Sequence, residues 1–252
     1  MRQPTESDIE AAKAYLRERL ECERAMGSLL ESAMKEAAEK IVEICYAANV
    51  NPQTFRYSDL PLRVQWDIDE VIQQLQEVVD DYFVTLAIAD HEENRDALIP
   101  LLYGENHGST FEERLSDYCG KYKNELMLLI GAGLFLGIAK SALVKSIGEN
   151  LKHPYANQLL ADGIGESISY GRGRTNSMLT AIGDLTRYGI AQGWMKNQYL
   201  NNRKDGCIGW WVRRGSSYNC ELCDSYVGFH TDESELPPFH GHCCCMAIPI
   251  YL

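Results

Sequence analysis

The sequence lacks a hydrophobic segment long enough for a membrane-spanning helix. Its longest uncharged apolar run goes from Leu126 to Ala139, which is 14 residues, whereas a spanning helix needs roughly 20. The first residues also lack the apolar stretch of a secretory signal peptide. These absences exclude a multi-span membrane protein. We therefore expect the run to form a buried core helix, and we expect synthesis in the cytoplasm, where thiols stay reduced.

Basic side chains are too few for a protein that coats nucleic acid through its overall charge. The chain has 24 Lys and Arg against 36 Asp and Glu, a formal net charge of −12. Residues 1–100 contain 10 basic and 21 acidic side chains, so most of the negative charge lies there. A solvated helix surface explains this charge, and an acidic surface that docks a basic partner protein is the alternative.

Common enzyme motifs are missing as well. The chain has no G-x-x-x-x-G-K-[ST] phosphate loop, no G-x-S-x-G nucleophile turn and no H-E-x-x-H metalloprotease helix. The glycine-rich residues 156–174 lack the preceding strand that a dinucleotide-binding loop requires, so we interpret them as a hinge or linker. These absences favour a protein that is not an enzyme.

Helical periodicity dominates the chain before its last 46 residues. Apolar residues at spacings of three, four and seven predict helices over residues 7–48, about 64–90, about 111–150 and about 175–201. A capping box at Ser7 and Glu10 is expected to start the first helix. Aromatic and β-branched residues predict short strands over residues 208–212, 227–231 and 246–251.

Cysteine is concentrated near the C-terminus, where residues 207–252 contain six of the nine. The two-residue spacing in Cys220-Glu-Leu-Cys223 lets two thiolates of a tight turn reach one metal ion. A second Cys/His group follows 16 residues later, and together the candidate ligands are Cys220, Cys223, His240, His242, Cys243, Cys244 and Cys245. Strand alternation places Cys243 and Cys245 on one face and Cys244 on the other. The preferred ligand set is Cys220, Cys223, His240 and one of Cys243 or Cys245.

Zinc is the expected metal, because it favours mixed thiolate and imidazole ligands in closed sites. A structural role is expected, because a region of 46 residues with few large aliphatic side chains needs a metal or a disulfide to fold. The alternatives are a disulfide-linked knuckle and unliganded thiols. A catalytic zinc would need an open coordination position and a nearby acid or base, for which Glu221, Asp224 and His230 are available.

These patterns predict the fold class and the domain organisation. The chain is expected to be mainly α-helical, with long helices in an N-terminal domain over residues 1–155 and a linker over 156–174. A small α+β domain, stapled by the Cys/His metal site, is expected over residues 175–252.

The C-terminal pattern resembles a known family. Its elements are a helix, a Trp-containing strand, a C-x2-C pair, a short hairpin with a glycine, and a terminal apolar strand. The matching residues are Trp210 or Trp211, Cys220, Cys223, Gly228, Pro237, Pro238, His240, Cys243, Cys245 and Ile248-Pro249-Ile250. Together they resemble the C-terminal domain of tailed-phage minor head proteins, the Mu F-like head morphogenesis family, over about residues 170–252.

The sequence departs from the family pattern at two places. It has Tyr226-Val-Gly228 where the family usually has Asp-Gly, and Gly241-His242 where the family usually has Pro-Asn. His242 and Cys244 are additional candidate ligands, so the ligand set stays open.

The resemblance implies a virion protein in the capsid interior or at the portal vertex, assembled in the host cytoplasm. Its implied partners are the portal protein and major capsid or scaffold subunits, with packaged DNA as a further contact and no membrane or small-molecule substrate. Its implied role is in head morphogenesis and in genome packaging or ejection.

Two other hypotheses come from different classes. A metal-dependent nuclease or toxin effector is the first, because head-protein domains of this kind can be fused to toxins, although the N-terminal segment lacks a catalytic signature. A zinc-ribbon adaptor that binds nucleic acid is the second. The net charge of −3 over residues 207–252 disfavours it, since phosphate contacts need clustered Lys and Arg.

Overall fold

Helices form most of the protein in the computed structural model, which describes residues 2–48, 50–88, 92–105, 108–151, 177–216, 219–241 and 243–251. The described helices are α1 (Glu6–Ala47), α2 (Leu62–Ile88), α3 (Arg95–Tyr103), α4 (Phe111–Phe135), α5 (Lys140–Asn150), α6 (Ser177–Lys204) and α7 (Glu221–Ser225). The strands are β1 (Gly209–Arg213), β2 (Gly228–His230) and β3 (Met246–Ile250). The prediction of a mainly helical chain with a small C-terminal α+β region is confirmed, while the predicted linker 156–174 lies outside the described residues.

The N-cap of the first helix lies two residues before the predicted one. Thr5 is the N-cap: its hydroxyl accepts a hydrogen bond from the Asp8 amide (3.3 Å), and the Asp8 carboxylate accepts one from the Thr5 amide (2.8 Å). Hydrogen bonds from Thr5 lower the pKa of Asp8 to about 2. The prediction that Ser7 is the N-cap was wrong. Thr5 and Ser7 each have an acidic residue three positions later and so both fit the capping-box pattern, but Ser7 lies inside the first turn.

The predicted third helix is two helices, because the chain turns at Gly137. This residue has a φ of +66°, a left-handed conformation that glycine adopts without a steric penalty. The Ile138 amide donates to the Gly133 carbonyl (2.9 Å) and the Gly137 amide to the Leu134 carbonyl (3.1 Å). This pair of bonds is a Schellman motif, which satisfies the last carbonyls of α4 and ends it.

The apolar run Leu126–Ala139 is only half buried, so the prediction of a buried core helix was wrong for its outer face. Leu126 and Ile130 are buried, whereas Leu128 and Phe135 are exposed. The neighbouring helices cover one side of α4 and leave the other open. No helix within the described ranges has both the length and the apolarity needed to cross a membrane.

The main hydrophobic core lies between α1, α2, α4 and the first half of α6. Phe83 of α2 is fully buried and stacks on Phe111 of α4, with ring centroids 4.1 Å apart. Leu179 and Ile190 of α6 belong to the same core. The predicted boundary between a helical domain and a C-terminal domain stays a prediction, and α6 packs on both of these regions.

The three strands form an antiparallel sheet in the order β2-β1-β3. In its register Trp210 pairs with His230 and Trp211 pairs with Ile248. One face of β3 packs on the first turns of α1, where Leu16 and Leu20 meet Met246 and Ile248. The N-terminal part of α1 therefore covers the C-terminal sheet.

Candidate metal centre

The first pair of candidate ligands lies at the start of α7. Cys220 is its N-cap residue and Cys223 lies within its single turn. The Asp224 amide donates to the Cys220 carbonyl (3.0 Å), which closes this turn. Because residues three apart share one side of a helix, both thiols face the same way, with Cys223 buried and Cys220 half-buried.

The second pair lies on a tight turn just before β3. The Cys243 amide donates to the His240 carbonyl at 3.0 Å, so His240 and Cys243 repeat the two-residue spacing of the first pair. Phe239 stacks on Tyr226, with ring centroids 4.3 Å apart and planes at 14°. This stacking fixes the second turn against the end of α7.

The two turns bring the five predicted ligands Cys220, Cys223, His240, Cys243 and Cys245 together. The His240 Nε2 atom lies 3.4 Å from the Cys220 Sγ and 3.1 Å from the Cys223 Sγ. The Sγ atoms of Cys223, Cys243 and Cys245 lie within 4.8 Å of one another. The five residues thus form two overlapping groups that share Cys223, and together these groups could hold a metal ion.

The separations fit a shared metal better than a disulfide. Cys223 Sγ and Cys243 Sγ are 3.9 Å apart, whereas a disulfide joins sulfurs at about 2.05 Å. Two thiolates at about 2.3 Å from a tetrahedral zinc would be about 3.8 Å apart. All nine cysteines lie within the described ranges, and none of them forms a disulfide there.

Contacts between the thiols of the cluster shift their pKa values in opposite directions. Hydrogen bonds from the Cys223 and Cys245 thiols hold the pKa of Cys243 far below the usual range of a thiol. The same contacts with Cys243 raise the pKa of Cys223 and of Cys245. Metal binding requires the thiol ligands of such a cluster to be deprotonated.

The two additional candidate ligands differ in what the structure describes. His242 lies outside the described residues. Cys244 faces away from the cluster and packs with Leu16, Met246 and Ile248, which agrees with the predicted alternation. Burial raises the pKa of Cys244 to about 12, so this thiol is a core residue.

The candidate acid and base groups near the cluster have other partners. Asp224 forms an ion pair with Arg214, which also donates to the Cys220 carbonyl (3.4 Å). His230 lies 3.2 Å from a Glu235 carboxylate oxygen and 2.9 Å from the Tyr226 carbonyl. Glu221 is exposed. None of the three belongs to the metal-ligand groups in the described part of the chain.

Sequence reasoning missed the buried charged residues that join the cluster to the helices. Arg19 of α1, 5% exposed, donates from Nη2 to the Cys243 carbonyl (2.7 Å) and lies 3.1 Å from Glu23. Burial raises the pKa of Glu23, and Arg19 opposes that shift. One signal was visible in the sequence: Arg19 and Glu23 interrupt the apolar face of α1 at an i, i+4 spacing that suits an ion pair.

Gly215 allows α1 to pack closely against the loop beside the Cys/His cluster. A Cβ atom at Gly215 would lie 1.9 Å from the Cys244 carbonyl oxygen and 2.9 Å from a methyl group of Leu16. Any larger residue would therefore push the β1–α7 loop away from β3 and α1.

No protein-family model matches this chain, and comparisons with curated proteins and with solved structures gave no significant match.

Proposed function

We propose that Cys220, Cys223, His240 and Cys243 bind one structural zinc ion. The observation that carries this proposal is the repeated two-residue spacing on two facing turns, with a Cys223–Cys243 sulfur separation of 3.9 Å. Mixed thiolate and imidazole ligands favour zinc over oxygen-preferring cations such as magnesium. Cys245 lies two residues beyond the second turn and is assigned as a neighbouring thiol outside the ligand set.

The proposed zinc would hold together elements with little apolar contact of their own. Each of the buried clusters at this end of the molecule contains at most six residues. The ion would link α7 to the turn that leads into β3, across a sheet of three short strands. A small region of this kind gains its folding free energy from metal binding.

A pair of serine variants tests the ligand set. Cys243→Ser should abolish stoichiometric zinc binding, measured by elemental mass spectrometry, because it removes one ligand of a tetrahedral site. Cys245→Ser is the matched control, since it changes the same atom two residues away, and it should keep its zinc. The reverse result would exchange the roles of the two cysteines, and zinc retention by both variants would refute the proposed site.

At the level of the whole protein, we propose a phage minor head protein that binds the portal or capsid subunits and acts in head morphogenesis and genome packaging or ejection. The order of Trp210, the two Cys/His turns and the terminal strand supports this proposal, as does the packing of that region on long helices. The exposed apolar side of α4, with Leu128 and Phe135, also suits binding between proteins. The nuclease or toxin alternative predicts cleavage of DNA or RNA with added divalent cations.

Association with the portal tests this proposal. The chain should co-purify with the portal protein encoded in the same genome when the two are co-expressed, and it should be present in purified particles. Absence from particles, together with metal-dependent nuclease activity, would contradict the head-protein proposal. Zinc content is measured separately, so the metal site and the virion role can fail independently.

A further inference from the structure

The outer face of α4, together with its C-cap residue Leu136, exposes several large apolar side chains. Leu128 is 76% exposed, Phe135 66% and Leu136 70%, and Leu129 is 43% exposed. Ala132 lies between them and is also exposed. We call these five residues the α4 face. Their combined exposed area is on the order of 500 Å², at the upper end for the largest patch of an ordinary monomer.

The α4 face is symmetric about its centre. Leu128 and Leu129 precede Ala132 by four and three residues, and Phe135 and Leu136 follow it by three and four. A two-fold axis through Ala132, perpendicular to the helix, therefore brings the leucine pair of one copy against the Phe135 and Leu136 pair of a second. The small alanine side chain at the axis lets the two helices approach closely. Self-complementarity of this kind is what an interface between identical chains requires.

Charge supports the antiparallel direction. The face has no charged residue between Glu125 at its start and Lys140 just beyond its end. Antiparallel pairing brings the acidic end of each copy to the basic end of the other, whereas parallel pairing would bring like charges together. Lys140 also contacts Glu43 of its own chain at 3.1 Å, and both side chains are about half exposed, so this ion pair leaves Lys140 accessible.

The area is that of a small interface. Complete coverage of two such faces would bury at most on the order of 1,000 Å² in total, which fits a weak dimer. The opposite side of α4, with Leu126, Met127 and Ile130, already packs in the core. Pairing through the outer face therefore leaves the fold of each chain unchanged.

We infer that two copies of this chain associate through their α4 faces as an antiparallel, two-fold symmetric dimer. This inference rests on the helical body and is independent of zinc binding and of the virion role. Dimerisation would present two C-terminal sheets, one on each copy, to the assembly that the protein joins.

Sedimentation equilibrium of the full chain tests the inference. The wild type should dimerise in the micromolar range, and Leu128→Glu should weaken dimerisation at least about tenfold, since it buries a charge in an apolar contact. Leu62→Glu is the matched control: Leu62 is 66% exposed on α2 and its substitution should leave the dimer intact. Phe135→Glu repeats the test if Leu128→Glu is poorly folded by circular dichroism. A monomeric wild type, or a dimer that withstands both α4 substitutions, would overturn the inference.

Crosslinking tests the direction of pairing. A short bis-maleimide should join two copies of Ala132→Cys, because position 132 lies on the axis, and should join Asn124→Cys much less. Asn124 is exposed two turns before the axis, so an antiparallel partner has its own residue 124 far away. Equal crosslinking at both positions would indicate parallel pairing and would overturn the antiparallel arrangement.

Discussion

The helical body and the Cys/His end of this protein are stabilised in different ways. The body has one continuous core to which the six helices α1 to α6 contribute, with Leu30, Ile68 and Phe83 fully buried. The Cys/His end has three separate small clusters around a three-stranded sheet. Burial of apolar area stabilises the body, and the apolar clusters of the Cys/His end are smaller. Under the zinc proposal, the ion would add at that end the stability that the larger core supplies in the body.

The two regions nevertheless share two helices. The first turns of α1 cover β3, and the rest of α1 lies in the main core. Trp194 of α6 belongs to the main core, and Met195 packs with Trp210 of the sheet. Loss of structure at the Cys/His end should therefore spread to the start of α1 and stop before its centre.

The largest expected loss of stability is for a substitution in the core of the helical body. Phe83→Ala should lower the free energy of unfolding by about 3–5 kcal/mol, because it leaves a cavity beside Phe111 and Gly189. Chemical denaturation followed by circular dichroism measures this loss. Tyr82→Ala is the control, since Tyr82 is 44% exposed, and its cost should be much smaller. If Phe83→Ala and Tyr82→Ala lowered the free energy of unfolding equally, Phe83 would not be a central residue of the core.

The second-largest expected loss of stability concerns Arg19, which connects α1 to the Cys/His end. Arg19→Met should cost about 3 kcal/mol, because it leaves Glu23 buried without its closest cation and removes the bond to the Cys243 carbonyl. The deficit should shrink as the pH falls, since burial already raises the pKa of Glu23 and protonation removes the buried charge. Thermal unfolding at several pH values measures the loss of stability and its dependence on pH.

A double variant is the control for this connection. Arg19→Met with Glu23→Leu removes both charges and should recover most of the lost stability. A double variant as unstable as Arg19→Met would show that the bond from Arg19 to the Cys243 carbonyl, and not the buried charge, sets the cost.

The smallest expected loss of stability is for the N-cap of α1. Thr5→Ala should cost about 1 kcal/mol, while Ser7→Ala should be nearly neutral, because Thr5 is the N-cap. The contribution of the capping box should persist above about pH 4 and be lost as the pH falls towards 2, since Thr5 lowers the pKa of Asp8 to about 2. Hydrogen exchange of the first turns of α1 measures the fraying. A larger effect from Ser7→Ala would contradict this assignment.

Local sequence patterns predicted the long helices, because an apolar stripe with helical period reports which face is buried. They also identified the candidate ligands, since two-residue spacing is a local property. They missed α3, which is short and contains Pro100, and the turn at Gly137. Arg19 and Cys243 are 224 positions apart. No local pattern reports such a contact, because it depends on how α1 packs against the sheet.

We propose that a metal ion stabilises the Cys/His end while apolar burial stabilises the body. Elemental analysis of protein purified under reducing conditions, followed by hydrogen exchange with and without a chelator, tests it most directly. We predict about one zinc per chain, and chelation should release the amides of the three strands and of the first turns of α1 while those of α2 stay protected. Metal-free protein with the same protection in both regions would contradict the account.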